Sequence, residues 1–292
     1  MTKAMKKVTC LACVAVMGLG AAMFAACDDQ GGNTPGGDTN REVEELYISG
    51  SSSVAPLMEK LASVYESFNP YVDITVQTSD SGTGVADAIA GKNDFGMASR
   101  AIKDSEIEQG VTSKQIAIDG VALVVNPDAD LDDVTSDQVY QLYANGTAIG
   151  AITNAISRED GSGTRDAFDS LIKSAAGDEL GDLLTFNACV TIQQSTGGVK
   201  EVIATAGTTN TIGYISMGSI DDTVKTVKFE GVEATAENVK NGSYTLSRPF
   251  NIVYKSEDDL SEAAKLFIDF IMSDAGQLIA ENEGYISVSD SL

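Results

Sequence analysis

From residue 46 onward, short apolar runs alternate with Gly/Ser-rich loops and with stretches whose apolar residues recur at helical spacing. Leu46-Tyr47-Ile48 predicts a strand, Ser49-Gly50-Ser51-Ser52-Ser53 a polar loop, and Pro56 suits the first turn of the helix that follows. Leu57, Leu61, Val64 and Phe68 fall on one face of that helix. The same order then returns. Alternation over residues 72–77 predicts a second strand, residues 79–84 a Gly/Ser loop and residues 85–90 a short helix. Residues 95–98 read as a buried strand, followed by Ser99-Arg100 and a polar helix start near Asp104. Residues 116–125 make a strongly apolar strand, 137–143 a helix, and 160–164 a loop feeding a helix over 167–175. A loop over 194–198 precedes a helix ending at Ala204; strands over 212–215 and 252–254 and a helix over 260–272 complete the body. Strand, polar loop and helix in this order predict an α/β fold, with ligand sites at the carboxyl ends of strands.

The N-terminus has a different pattern. Lys3, Lys6 and Lys7 precede an uncharged, apolar, small-residue run over 8–26, which predicts a secretory signal peptide over residues 1–26. Phe24-Ala25-Ala26-Cys27 resembles a bacterial lipobox, with Phe24 where Leu is usual, and makes Cys27 the expected lipidation site and membrane anchor. An uncleaved spanning anchor is the other reading of the run. Both put the body outside the cytoplasm. Residues 27–44 are dense in Gly, Asp, Asn and Thr and too poor in apolar residues to fold, so they read as a flexible tether.

Composition narrows the chemistry. With 292 residues, 43% of them hydrophobic, the chain can bury a sizeable core in about two domains. It contains no histidine, which removes the commonest general base, the Ser-His-Asp triad and nearly every catalytic zinc site. No cofactor is expected, and no enzymatic activity. Cys10 and Cys13 lie within the signal and read as apolar filler, which leaves Cys189 without an intrachain disulfide partner after processing. The net charge of −24 argues against a nucleic-acid partner. It does not argue against a small anion, because local N–H groups, hydroxyls and arginines outweigh a screened distant field.

Four loops, around Ser52, Ser81, Ser99 and Ser162, place small residues and hydroxyls between a strand and a helix. Unpaired N–H groups and partial positive charge at helix N-termini make such loops suited to an oxyanion, although helix capping alone also explains each serine. Arg100 and Arg158 accompany two of them. In Ser157-Arg158-Glu159-Asp160-Gly161-Ser162-Gly163-Thr164, the glycines allow close backbone approach, Ser162 and Thr164 add hydroxyls, and Arg158 offers a planar fork that Asp160 is placed to orient. Ser170-Leu171-Ile172-Lys173 spells S-x-x-K, the mark of a secreted Ser-Lys hydrolase, but its companion triplets are absent.

Five stretches carry a family resemblance: ISGSSSVAPL from Ile48, DFGMASR from Asp94, DGVA from Asp119, SREDGSGTRDAF from Ser157 and LSRPFNIVYK from Leu246. In order, they resemble the phosphate-binding protein of the bacterial high-affinity phosphate ABC transporter. The resemblance implies a two-lobed, periplasmic-binding-protein-like fold, each lobe a central sheet flanked by helices, with phosphate in the cleft between them. Lobe I would combine residues 45–121 and 251–292, and lobe II residues 122–250. The implied phosphate ligands are Ser52, Ser53, Ser81, Arg158, Ser162, Gly163 and Thr164, with Ser51 and Thr83 as substitutes if the alignment slips by one residue. Ser99 and Arg100 join them at a point where some members carry an Asp that accepts the phosphate proton. Asp119 is the expected replacement for that acceptor; a turn residue before the strand is its other reading. The implied partners are inorganic phosphate, the permease subunits and the bilayer through Cys27, with a monomeric body. Sulfate, molybdate or another tetrahedral oxyanion is the alternative ligand.

Overall fold

The structure, a computed structural model, describes residues 42–288. The signal peptide, Cys27 and all of the tether before residue 42 therefore lie outside the described residues. From Glu42 onward the chain runs β1 (Glu44–Ser51), α1 (Ala55–Phe68), β2 (Val72–Ser79), α2 (Ser81–Ile89), β3 (Phe95–Ala98), α3 (Asp104–Ile107) and β4 (Thr112–Val125). It continues through β5 (Asp133–Val134), α4 (Ser136–Asn145), β6 (Asn154–Arg158), α5 (Gly163–Leu171), β7 (Val190–Gln193), α6 (Ser195–Ala204) and β8 (Thr211–Ser216). It ends with β9 (Lys225–Phe229), α7 (Ala236–Lys240), β10 (Ser247–Tyr254), α8 (Glu262–Met272) and α9 (Asp274–Asn282).

The strands join in the order β2-β1-β3-β10-β4-β8-β6-β7, with β9 paired to both β4 and β5. β1 lies parallel to β2 and β3, and β6 lies parallel to β7 and β8, so each trio ends its strands on one edge. β4 links the two groups. Its first part, through Gly120, runs antiparallel to β10, and its last residues, Val121 to Val125, pair with β8.

The buried side chains follow this division. One core gathers Leu46, Ile48, Leu57, Phe95, Phe250 and Phe267, and a second gathers Val121, Leu123, Tyr143, Phe168, Ile212 and Tyr214. Phe168 stacks on Tyr214 with ring centroids 3.9 Å apart. Each such fully buried side chain contributes about 1.5–3 kcal/mol.

Several local expectations differ, among them the loop expected over 194–198, where α6 already starts at Ser195. The face of α1 is Leu57, Met58, Leu61, Ala62 and Tyr65, while Phe68 is 57% exposed, because the buried stripe rotates toward Tyr65 at the helix end. Residues 81–84 belong to α2 and not to a loop, because the Asp80 carboxylate accepts from Thr83 N at 2.8 Å and starts the helix early. Helix α5 likewise begins at Gly163, capped by Ser162, and stops at Leu171. A close backbone approach lets α2 reach the strand ends: a Cβ on Gly84 would stand 2.7 Å from Gly50 Cα, so only glycine fits.

Candidate anion-binding site

Ser51 closes β1, Ser99 follows β3, and Ser81 opens α2 beside them. Ser51 Oγ donates to Ser99 Oγ at 2.9 Å, Ser99 N donates to Ser81 Oγ at 3.0 Å, and the Ser81 and Ser99 hydroxyls lie 3.3 Å apart. A second set joins the two groups of strands. Ser53 Oγ is 2.9 Å from Thr164 Oγ1 and 3.1 Å from Thr196 Oγ1, and Thr196 N donates to Ser52 Oγ at 3.4 Å. Gly163 lies against the first set, since a Cβ there would come within 2.3 Å of Ser81 Oγ and 2.8 Å of Ser99 Oγ. Gly163→Ala is accordingly expected to weaken oxyanion binding about tenfold, the usual cost of overpacking a fitted site, as measured by titration calorimetry.

Two guanidinium groups enter this ring of hydroxyls. Arg158, 1% exposed at the end of β6, donates from Nη2 to Ser52 Oγ at 3.2 Å, and its Nη1 lies 3.5 Å from the Thr164 and Thr196 hydroxyls. Its fork is held by Glu159, at 2.7 and 2.8 Å, and not by Asp160. Asp160 points to solvent and receives Arg165 Nη1 at 2.6 Å instead, because the Gly161 turn carries it outward. Arg248 of β10 is the second. It donates to Ser99 Oγ from Nη1 at 3.3 Å and to Asp119 Oδ2 from Nε and Nη2 at 3.1 and 2.9 Å.

Arg248 and Asp119 stand directly opposite each other in the β10–β4 register, and both are buried. Asp119 Oδ1 accepts from Ser216 Oγ at 2.9 Å, and the Met217 backbone N–H also bonds the carboxylate. Burial pushes the Asp119 carboxyl up, and Arg248, Ser216 and Met217 pull it back. With two donors from Arg248, one from Ser216 and one from Met217, its acceptor positions are filled. Asp119 therefore aims Arg248 at the ring, in place of the proton-accepting role expected for it. Burial lowers the Arg248 value and the nearby positive charge of Arg158 lowers it further, against the pull of Asp119, so the two cations repel across the ring.

The remaining expected residues divide. Ser52, Ser53, Ser81, Ser99, Gly163 and Thr164 converge, as does Ser51. Ser162 is buried as the cap of α5, accepting from Arg165 N at 3.3 Å, with its own hydroxyl proton left to donate. Thr83 is committed to Asp80, its hydroxyl 2.6 Å from Oδ2. Arg100 turns away from the hydroxyls: its fork meets Glu106 at 2.7 and 2.8 Å, and Nε lies 3.0 Å from Asp166. Sequence reasoning missed Arg248, Thr196 and Glu159. An arginine inside the apolar run of β10, and a Ser-Thr pair at the start of α6, were the available signals.

Within α5, Asp169 accepts from Arg165 Nε at 3.3 Å, and burial, against the pull of Arg165, raises its carboxyl to about 7. A value raised above the ordinary unfolded one of about 3.9 means that the folded state binds the extra proton. That contribution is full below about pH 4 and is lost as pH rises through about 7. Asp169→Asn should therefore gain stability relative to the native chain between pH 5 and pH 8, read by urea unfolding at the two values.

Residues 34–275 match the family described as the PBP superfamily domain. Over 286 residues, 91% of this chain and 90% of the relative, the chain is 31% identical to the phosphate-binding protein PstS of Bacillus subtilis. A candidate phosphate ABC transporter substrate-binding protein with bound phosphate, from Clostridium perfringens, superposes with a TM-score of 0.77 at 38% identity, over 84% of this chain and all of that one. An ABC-type phosphate transport receptor from Vibrio cholerae does so with a TM-score of 0.66 at 30% identity, again over 84% of this chain and 100% of that one. On this agreement of sequence, fold and strand-end site, the chain belongs to the PBP superfamily and, within it, to the PstS phosphate-binding proteins.

Proposed function

We propose that this protein captures inorganic phosphate outside the membrane and delivers it to the permease subunits of an ABC importer, as a monomer anchored through acylated Cys27. The observation that carries this reading is the meeting of Arg158 and Arg248, each fixed by its own carboxylate, with seven hydroxyls on one buried point. An oxyanion there relieves the repulsion between the two cations. The phosphate bound in the Clostridium perfringens relative is the same chemistry.

Each charge-assisted hydrogen bond contributes about 1.5–3 kcal/mol net. Stripping the anion of water and bringing the two halves together offsets most of this, so an affinity near about 1 μM, roughly −8 kcal/mol, is expected. The halves are lobe I, residues 45–121 with 251–292, and lobe II, residues 122–250. Closing them around phosphate gives the permease a shape to distinguish from the empty one. The proton of hydrogen phosphate falls to a hydroxyl oxygen of the ring.

Binding without turnover is part of this reading. Ser170 Oγ donates to Ala167 O at 2.8 Å and Lys173 Nζ pairs with Glu179 at 3.0 Å, so the S-x-x-K residues do not face each other; the helix ends between them. Among the described residues no helix is long and apolar enough to cross a membrane. Calorimetry of the chain from Asp28 onward against phosphate, sulfate and molybdate tests the ligand. Absence of heat with phosphate overturns the reading, and equal heats with sulfate make this a receptor for tetrahedral oxyanions in general.

A further inference from the structure

The two groups of strands also meet outside the ring of hydroxyls. Arg100 and Lys103, between β3 and α3, follow a strand of the first group, and Asp166, in the first turn of α5, follows β6 of the second. Asp166 Oδ2 lies 3.0 Å from Arg100 Nε and 2.8 Å from Lys103 Nζ. Arg100 is 5% exposed and Asp166 about a third exposed, so this contact is shielded on one side. Glu106 grips the Arg100 fork at 2.7 and 2.8 Å and accepts from Lys103 N at 2.9 Å, which makes the short α3 a frame that aims both cations at Asp166. A cavity of about 270 Å³ lined by Arg100, Lys103, Asp166, Ser247 and Arg248 adjoins the contact. Arg248 also lines that cavity and donates to Ser99 of the ring, so the ion pair and the ring lie on either side of one arginine.

We propose that the contact of Arg100 and Lys103 with Asp166 is a latch between the two halves that sets how long a bound anion is retained. Arg100 is then a positioning residue that never touches the ligand. The inference rests on the phosphate reading above. The latch forms only when the halves are together, so it adds to the closed form and not to the open one, and the anion leaves from the open form. Losing it speeds release and leaves capture by the open form unchanged. Lys103 is about half exposed, so salt weakens its arm of the latch.

The test measures release of radiolabelled phosphate from the chain beginning at Asp28, which keeps the whole described body, into an excess of unlabelled phosphate. Asp166→Asn should release phosphate about fivefold faster, Lys103→Gln should also release faster, and Asp166→Glu should restore slow release. The double variant should be no faster than Asp166→Asn alone, because both substitutions break one contact. Release from the native chain should accelerate with added sodium chloride, and release from Asp166→Asn should not. Unchanged release in Asp166→Asn with thermal unfolding intact overturns the latch, as does a double variant whose effects multiply. If the native chain binds no phosphate, the functional reading fails separately. Small-angle scattering without ligand then decides the latch: a larger radius of gyration for Asp166→Asn supports it, and an unchanged one overturns it.

Discussion

Arg158→Ala is expected to weaken phosphate binding by at least about thirtyfold, roughly 2 kcal/mol. The guanidinium is almost wholly buried, reaches three hydroxyls of the ring, and is held in one orientation by both oxygens of Glu159. A bond between a fixed, desolvated fork and an oxyanion loses little on formation, which puts it at the strong end of charge-assisted hydrogen bonds. Arg158→Lys should recover only part of the loss, because a point charge cannot take up the fork's geometry. Calorimetry of the three proteins is the measurement. An alanine variant with native affinity would place the anion elsewhere in the ring.

Asp119→Ala should cost the fold about 3–5 kcal/mol, the penalty for leaving a buried guanidinium without its carboxylate. Arg248 is 3% exposed and makes both its short ion-pair bonds to Asp119 Oδ2. Its remaining bond, to Ser99 Oγ at 3.3 Å, cannot compensate a full charge. Removing both charges with apolar residues of similar volume, as in Asp119→Leu with Arg248→Met, should return stability to within about 1 kcal/mol of native or better, because the desolvation of both ions disappears together. The double variant should nevertheless fail to bind phosphate. Denaturant unfolding and calorimetry of the single and double variants separate the two roles. A stable double variant with native phosphate affinity would reduce the pair to a structural contact.

The local order of the molecule was legible in the sequence because strands, polar loops and helices are set by near neighbours. Leu46-Tyr47-Ile48, the apolar run over 116–125 and the SREDGSGT loop announced themselves through period, composition and glycine spacing. What failed locally failed at boundaries: Asp80 and Ser162 start their helices earlier than the apolar pattern alone suggests. The role of Asp160 was assigned from proximity in the chain, and the turn at Gly161, with φ near +86°, sends it to solvent while Glu159 stays with Arg158.

The sequence by itself therefore determined the α/β order, the hydroxyl loops at strand ends and the presence of an arginine loop, all of which depend on residues within a few positions of one another. The tertiary structure alone decided which charges face which. Asp119 and Arg248 are 129 positions apart and meet because β10 returns antiparallel to β4, which pairs an expected site residue with an arginine that sequence reasoning had not placed at the site. Arg100 stands next to Ser99 in the chain, yet its guanidinium goes to Glu106 and Asp166, because two fixed carboxylates lie on that side and bind a guanidinium more strongly than neutral hydroxyls do. Pairings of this kind are set by how strands cross, and no window of sequence contains them.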